Sequence, residues 1–307
     1  MRKNGTAGFS LIEVMAAIVI LGIAMTAVFS TFLFQQKSYT TQVRVAEMQQ
    51  NLRDAMEMIS RDIRMCTYGI PSNVNIVDND IIATPLGAPM GRYLKAVNST
   101  SGPDEIYILY RYDGDAAYPS FDNVNMPTTT TVTLTSTAGF DVGDRVIVYN
   151  ATNADLILVT AVANSTTLTL RSPGSGTVYT GATLARVRYA RYFVDRTTDP
   201  AHPTLMLDRR NGQPSQPLAD DIEDLQFQYS MDTNGDGVLE VVDNNVVGNA
   251  SFVRQVHVYL LARSRITEKG WVETGNRNMA DHLPGVANDG YRRRRTEMVV
   301  DVRNSSF

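Results

Sequence analysis

Cysteine is nearly absent from this chain. A single residue, Cys66, in 307 excludes an intramolecular disulfide framework and any zinc site built on several thiolates. Histidine is almost as scarce. His202, His257 and His282 lie far apart, which leaves little for metal ligation or acid–base catalysis. There is no excess of basic charge: 28 Lys and Arg face 32 Asp and Glu, a net charge of −4. That balance is the wrong sign for a nucleic-acid binder, and none is expected as a partner. No nucleophile–base arrangement, phosphate-cradling Gly loop or credible acid–base carboxylate pair is present. What the chain does have is 43% apolar residues, enough to exclude wholesale disorder and to build one large domain or two small ones.

Those apolar residues are concentrated at the front. Residues 9–34, FSLIEVMAAIVILGIAMTAVFSTFLF, contain one formal charge, Glu13. Roughly 20 such residues in a helix cross the hydrocarbon of a bilayer. Arg2 and Lys3 precede the run, so its start stays cytoplasmic and the rest of the chain lies outside. A secretory signal peptide fits poorly, because its apolar region is shorter and ends at a small-residue cleavage site. A plain signal anchor is the stronger alternative. Glu13 argues against both, since a carboxylate in hydrocarbon is costly without a partner cation. A cut between Gly8 and Phe9 would create that cation, the Phe9 α-amine. Glu13 would then be the fifth residue, about one helical turn away, able to pair within one chain or between neighbours.

The stretch Gly8-Phe9-Ser10-Leu11-Ile12-Glu13-Val14, behind a short basic leader and ahead of an unbroken apolar helix, resembles the class III signal of type IV prepilins and type II secretion pseudopilins. The resemblance implies cleavage after Gly8 and N-methylation of Phe9 by a prepilin peptidase. It implies that Glu13 pairs with the Phe9 amine of an adjacent subunit during filament assembly. Residues 1–8 are then a leader and 9–34 a transmembrane helix that becomes the filament core.

Past Phe34 neither Pro nor Gly occurs until Gly69. Val45, Met48, Leu52, Ala55, Ile59 and Ile63 recur every three or four residues, with charges on the remaining faces, so 35–68 read as an amphipathic continuation of the same helix. Cys66 falls at the end of its stripe as a buried, inert thiol, with an intermolecular disulfide as the alternative. Gly69 and Pro71 stop the helix. Beyond it, short alternating or β-branched runs at 106–112, 131–135, 145–149, 156–163, 166–171, 185–194, 204–208, 225–229, 253–262 and 297–302 predict antiparallel strands. The expected fold is α+β: a long helix laid on an antiparallel sheet, with a β-rich head over 69–307. Thr- and Val-rich residues 127–180 read as a β insertion in that head, with membership of the main sheet as the alternative.

Weaker patterns are similar to minor pilins of the PilW type, relatives of the J-type pseudopilins of type II secretion. They are Arg61-Asp62-Ile63-Arg64, the run from Leu218 to Tyr229, and Val302-Arg303-Asn304. This likeness implies a minor subunit of a type IV pilus, acting in assembly or initiation near the tip, with motility or adhesion as the output. It implies other major and minor pilins and an inner-membrane assembly platform as partners, and membrane lipid around the helix before assembly. A minor pseudopilin of a type II secretion system is the alternative. A membrane-anchored extracytoplasmic enzyme is a third reading without a visible reactive site.

One loop reads as a calcium site. Asp232, Asn234 and Asp236 occupy positions one, three and five of an EF-hand-like loop, with Gly237 at six, the Val238 carbonyl at seven, Glu240 at nine and Asp243 at twelve. Oxygen donors with several carboxylates suit a hard cation such as Ca²⁺. Asp243 is shorter than the usual Glu, and a strand pattern leads into the loop, so a plain hairpin turn is the competing reading. The run Arg292-Arg293-Arg294-Arg295 reads as an edge strand whose charges discourage sheet-to-sheet pairing. Trp271, near Gly270 and Gly275, reads as a loop residue serving either contact or packing.

Overall fold

The computed structural model describes residues 10–66, 68–69, 76–78, 94–111, 122–126, 130–171, 179–209, 211–246 and 252–302. The chain divides into two compact units, Met1–Glu47 and Met48–Phe307. One helix, α1 (Leu11–Met65), runs unbroken through 55 residues, about 82 Å at 1.5 Å per residue. Its length follows from what is missing, a proline or a C-terminal glycine before Gly69. Gly69 takes φ +67°, and a Cβ there would lie 2.9 Å from the Arg111 Cβ. The exit is tied to the sheet as well, since the Arg111 amide donates to the Tyr68 carbonyl at 2.8 Å.

In the first unit, apolar side chains from Leu11 to Phe34 are exposed. Its hydroxyls are satisfied within the helix: Thr26 Oγ1 donates to the Gly22 carbonyl at 2.8 Å, and Thr31 Oγ1 to the Ala27 carbonyl at 2.9 Å. That back-bonding makes them tolerable in hydrocarbon. In the second unit the predicted stripe is buried: Met48, Leu52, Ala55, Ile59 and Ile63, with Cys66 at its end, belong to the core, joined by Met56, which lies outside the predicted spacing; Val45, the first predicted member, precedes this unit and is half-buried. Each large member contributes about 1.5–3 kcal/mol by leaving water.

Fifteen strands make up the β structure of the described residues. They are β1 (Ile76–Asp78), β2 (Leu94–Val97), β3 (Glu105–Arg111), β4 (Asp122–Met126), β5 (Thr131–Thr133), β6 (Arg145–Tyr149), β7 (Ala154–Asn164), β8 (Thr167–Leu170), β9 (Tyr179–Asp195), β10 (Thr204–Asp208), β11 (Gln216–Ala219), β12 (Ile222–Met231), β13 (Val241–Asp243), β14 (Val253–Arg263) and β15 (Arg293–Asp301). The first eleven form one sheet and the last four a second, in the order β13-β12-β14-β15. Pairing is antiparallel except between β1 and β7. The 17-residue β9 organises the first sheet by pairing with β3, β4, β6 and β10.

The Thr- and Val-rich stretch owes its structure to two apolar faces. Val132, Leu134, Phe140, Val146, Val148, Ile157, Val159, Leu168 and Leu170 close a core of their own with Tyr179, Ala182 and Leu184. The alternate residues Ile147, Ala154 and Leu156 pack with Tyr107, Leu109, Ala185, Val187 and Tyr189 of β3 and β9. β6 meanwhile shares a ladder with β9 over Arg145–Tyr149. The stretch thus has its own core and is also hydrogen-bonded into the first sheet.

Asp104 joins the two sheets. Its carboxylate accepts from the Ser99 amide at 2.8 Å and from the Phe227 amide of β12 at 2.9 Å, and its own amide donates to the Leu225 carbonyl at 2.8 Å. Burial pushes its carboxyl from 3.8 up to about 7; the two amides oppose this, and Asp281 and Asp224 add to it by repulsion. The folded chain therefore holds this proton at pH values where the unfolded chain has lost it. The stabilisation from this group is complete below about pH 4 and is lost as pH rises through about 7. Asp104→Asn, which cannot titrate, is expected to flatten the melting temperature between pH 4 and 7 relative to the unaltered chain. Parallel pH profiles for the two would contradict the assignment.

Candidate functional site

The helix start is built by its own sequence. Ser10 caps α1: its Oγ accepts from the Glu13 amide at 3.3 Å, while Glu13 Oε2 accepts from the Ser10 amide at 3.0 Å. This is a reciprocal capping box, worth on the order of 1 kcal/mol. The Ser10-x-x-Glu13 spacing carries that signal in the sequence, beside the pairing with the Phe9 amine expected of Glu13. Glu13 Oε2 is engaged locally in the single chain, and a carboxylate can accept further bonds at its other oxygen. Gly8 and Phe9 lie outside the described residues. Around and beyond Glu13, Leu11, Ile12, Val14, Met15, Ile18, Val19 and their successors to Phe34 present exposed apolar surface. The helix is long and apolar enough to cross a membrane.

The head end of α1 is clamped by a charge that the sequence reading left without a role. Asp62 sits in the buried stripe between Ile59 and Ile63. Its Oδ1 accepts from the Tyr110 hydroxyl at 2.8 Å, and its Oδ2 from the Tyr192 hydroxyl at 2.7 Å and Arg209 Nη1 at 3.0 Å. Burial raises both tyrosine hydroxyls above their ordinary range, and the Asp62 charge adds to the effect. Both therefore remain donors. A charged residue inside an apolar stripe is the sequence signal for such a clamp, although its partners come from three distant segments.

The loop after β12 brings together three of the six predicted calcium ligands. Carboxylate oxygens of Asp232, Asp236 and Glu240 lie within 4.8 Å of one another. Asp232 is the anchor, with no exposed side-chain surface. Its oxygens accept from the Gly235 amide at 2.6 Å and the Gly237 amide at 3.2 Å, and Arg254 Nε stands at 3.4 Å. Burial pushes this carboxyl up, but the two amides and Arg254 outweigh it and hold it below its ordinary value. Gly235 and Gly237 take φ of +80° and +85°, which admits the tight turn. Asn234 Oδ1 accepts from the Asp236 amide at 2.9 Å, and Asp236 Oδ1 from the Val238 amide at 2.8 Å. Glu240 Oε2 accepts from both the amide and the hydroxyl of Thr233, at 2.7 and 2.9 Å. Asp243 stands apart from this group: it lies on β13 opposite Tyr229, and its Oδ1 accepts from the Asn245 amide. The donor set and turn suit a hard cation, with the Arg254 guanidinium competing for Asp232.

The arginine run opens β15, the edge strand beside β14. It is not uniformly solvated. Arg293 is buried between Glu223 and Asp289, and Arg292 pairs with Glu268 at 2.6 Å while stacking 3.7 Å from the Trp271 ring.

Comparison with known proteins follows the same division of the chain. Residues 191–304 match the family model described as Type IV Pilus-assembly protein W. Residues 3–29 match that of the Prokaryotic N-terminal methylation motif. A type IV-like pilin from Thermus thermophilus is a similar solved structure, at 13% identity and a TM-score of 0.40 over 84% of this chain and 98% of that one. No curated protein matches the chain.

Proposed function

We propose that this chain, a minor type IV pilin of the PilW type that takes part in pilus assembly, acts in the complex that initiates the filament and stays near its tip. The prepilin-type motif implies processing by a prepilin peptidase and association with other pilins. The single apolar helix anchors the chain in the inner membrane with its head outside. The observation carrying the proposal is the exposed apolar surface of Leu11 to Phe34 with one carboxylate, Glu13, at its start. Such a helix leaves lipid readily only for a bundle of like helices, where apolar contacts are kept and the carboxylate meets a cation. The role is structural: Gly8 and Phe9 are the substrate of processing, the methylated Phe9 amine pairs with Glu13 of a neighbour, and the assembly platform receives the matured chain. Deleting the gene is expected to remove surface pili while the major subunit accumulates in the inner membrane. Gold label on the restored head is expected at one filament end. Label spread along the filament length, or lost protein secretion with pili intact, would contradict the placement.

The same reading assigns Ca²⁺ to the loop, held by Asp232, Asp236 and Glu240 with Asn234 and the Val238 carbonyl as neighbours. The ion would fix the turn between β12 and β13 and do no chemistry. Calcium is expected to raise the melting temperature of the purified chain over that in chelator, and Asp236→Ala to abolish the difference. Identical curves for the unaltered chain in calcium and chelator would reduce the loop to a turn.

A further inference from the structure

A second polar feature lies away from both the helix and the calcium loop. Between the end of β9, the start of β12, the end of β14 and the segment before β15 is a cavity of about 360 Å³. It lies almost entirely within the region matched to the pilus-assembly family. Arg196, Arg263 and Arg277 line it, with Glu223, Asp224 and His282.

The two acids are already occupied. Glu223 accepts from Arg293 and, at 3.1 Å, from Arg277 Nη1. Burial pushes its carboxyl up, but Arg293, Arg277 and Arg263 hold it below its ordinary value. Asp224 accepts from the Leu225 amide at 2.9 Å and Gln226 Nε2 at 3.0 Å, and its other oxygen meets His282 Nδ1 at 2.6 Å.

Two of the arginines, Arg196 and Arg263, donate to backbone carbonyls and to no carboxylate among the described residues. Arg196 spends one guanidinium N–H on the Glu223 carbonyl, and Arg263 spends one on the Ala201 carbonyl at 2.6 Å while lying 4.6 Å from the Tyr291 ring. The Nε–H of each is buried with no partner among the described residues. A buried donor left unmade costs about 1–3 kcal/mol, and more on a charged group. Among the lining side chains three arginines face two carboxylates, and Glu223 is also bound by Arg293, so guanidinium is in excess. An anion balances that excess, and a carboxylate is the anion that a protein surface presents. Pro200, Pro203 and Pro284 stiffen the wall, so little ordering is lost when a side chain enters.

We propose that this cavity binds a carboxylate, presented by an acidic side chain of an adjacent pilin subunit. The occupant's identity as a pilin rests on the association reading above; the carboxylate chemistry does not. A capped glutamate, N-acetylglutamate N-methylamide, tests it on the detergent-purified full chain at constant ionic strength. A saturable rise in melting temperature of about 3 °C is expected with capped glutamate and less than about 1 °C with capped glutamine. Arg196→Gln and Arg263→Gln are each expected to weaken the apparent affinity at least about tenfold, and Arg263→Lys to restore little of it, because an ammonium lacks the planar fork. Equal shifts with both probes, no shift, or a shift undiminished in variants that melt normally without probe would overturn the site. A larger effect of inorganic phosphate at the same concentration would overturn the carboxylate assignment. The titration needs no filament, so its failure leaves the pilin reading standing, and a failed pilus assay leaves the titration standing.

Discussion

Glu13→Val is expected to be cleaved and methylated normally and yet to enter filaments at least tenfold less often than the unaltered chain. The leader, Gly8 and Phe9 are untouched, so the peptidase meets the same junction. The change acts later, in the bundle. There the mature Phe9 amine would be a cation with apolar neighbours and no counter-ion. Stranding one member of a buried ion pair costs about 3–5 kcal/mol, and about 1.4 kcal/mol is already tenfold in an equilibrium. Valine also removes the capping box to Ser10, a second loss on the order of 1 kcal/mol. Ser10→Ala separates the two. It weakens the cap and keeps the carboxylate, so near-normal incorporation is expected. Incorporation is scored as the ratio of the variant in sheared filaments to the variant in membranes. A ratio for Glu13→Val equal to that of the unaltered chain would remove the carboxylate from assembly.

Asp62→Ala is expected to lower the stability of the head by about 3 kcal/mol, read as a melting temperature lower by about 6–12 °C. The substitution leaves the Tyr110 and Tyr192 hydroxyls buried without their acceptor and Arg209 without its anion. Arg209 is about a quarter exposed, so water recovers part of its loss, and the figure sits at the low end for a broken buried pair. Asp62→Asn keeps an acceptor for one tyrosine and gives up the charge, so an intermediate loss is expected. A loss below about 0.5 kcal/mol for Asp62→Ala would mean that the clamp carries no stability.

The two variants mark what was legible in the sequence. The helix was, because an unbroken apolar run and the missing prolines act locally; expected over 9–68, it runs from Leu11 to Met65. The strands at 145–149 and 204–208 coincide with β6 and β10, since both are bounded by turn residues on each side. β9 runs six residues further toward the N-terminus than the expected 185–194, because Thr180, Gly181 and Thr183 break the apolar alternation while tertiary pairing with β4 and β6 holds the backbone extended. The short strands β2, β11 and β13 carried no pattern; β11 contains Pro217, which cannot donate to a ladder, and it pairs with β10 through a register shift.

Sites follow the same rule. Asp232, Asp236 and Glu240 come together because one tight turn gathers them, and a turn can be read locally. The partners of Asp62 lie 48, 130 and 147 residues from it, and the arginine cavity draws on four separate segments between Arg196 and Pro284 with Ser101, so no spacing rule reports those meetings.

The measurement that bears most directly on the whole account is the mass of the N-terminal peptide from the native, membrane-extracted protein. The account predicts a chain beginning at Phe9 and carrying one methyl group on its α-amine. A peptide beginning at Met1, or an unmodified start elsewhere in the chain, would contradict it.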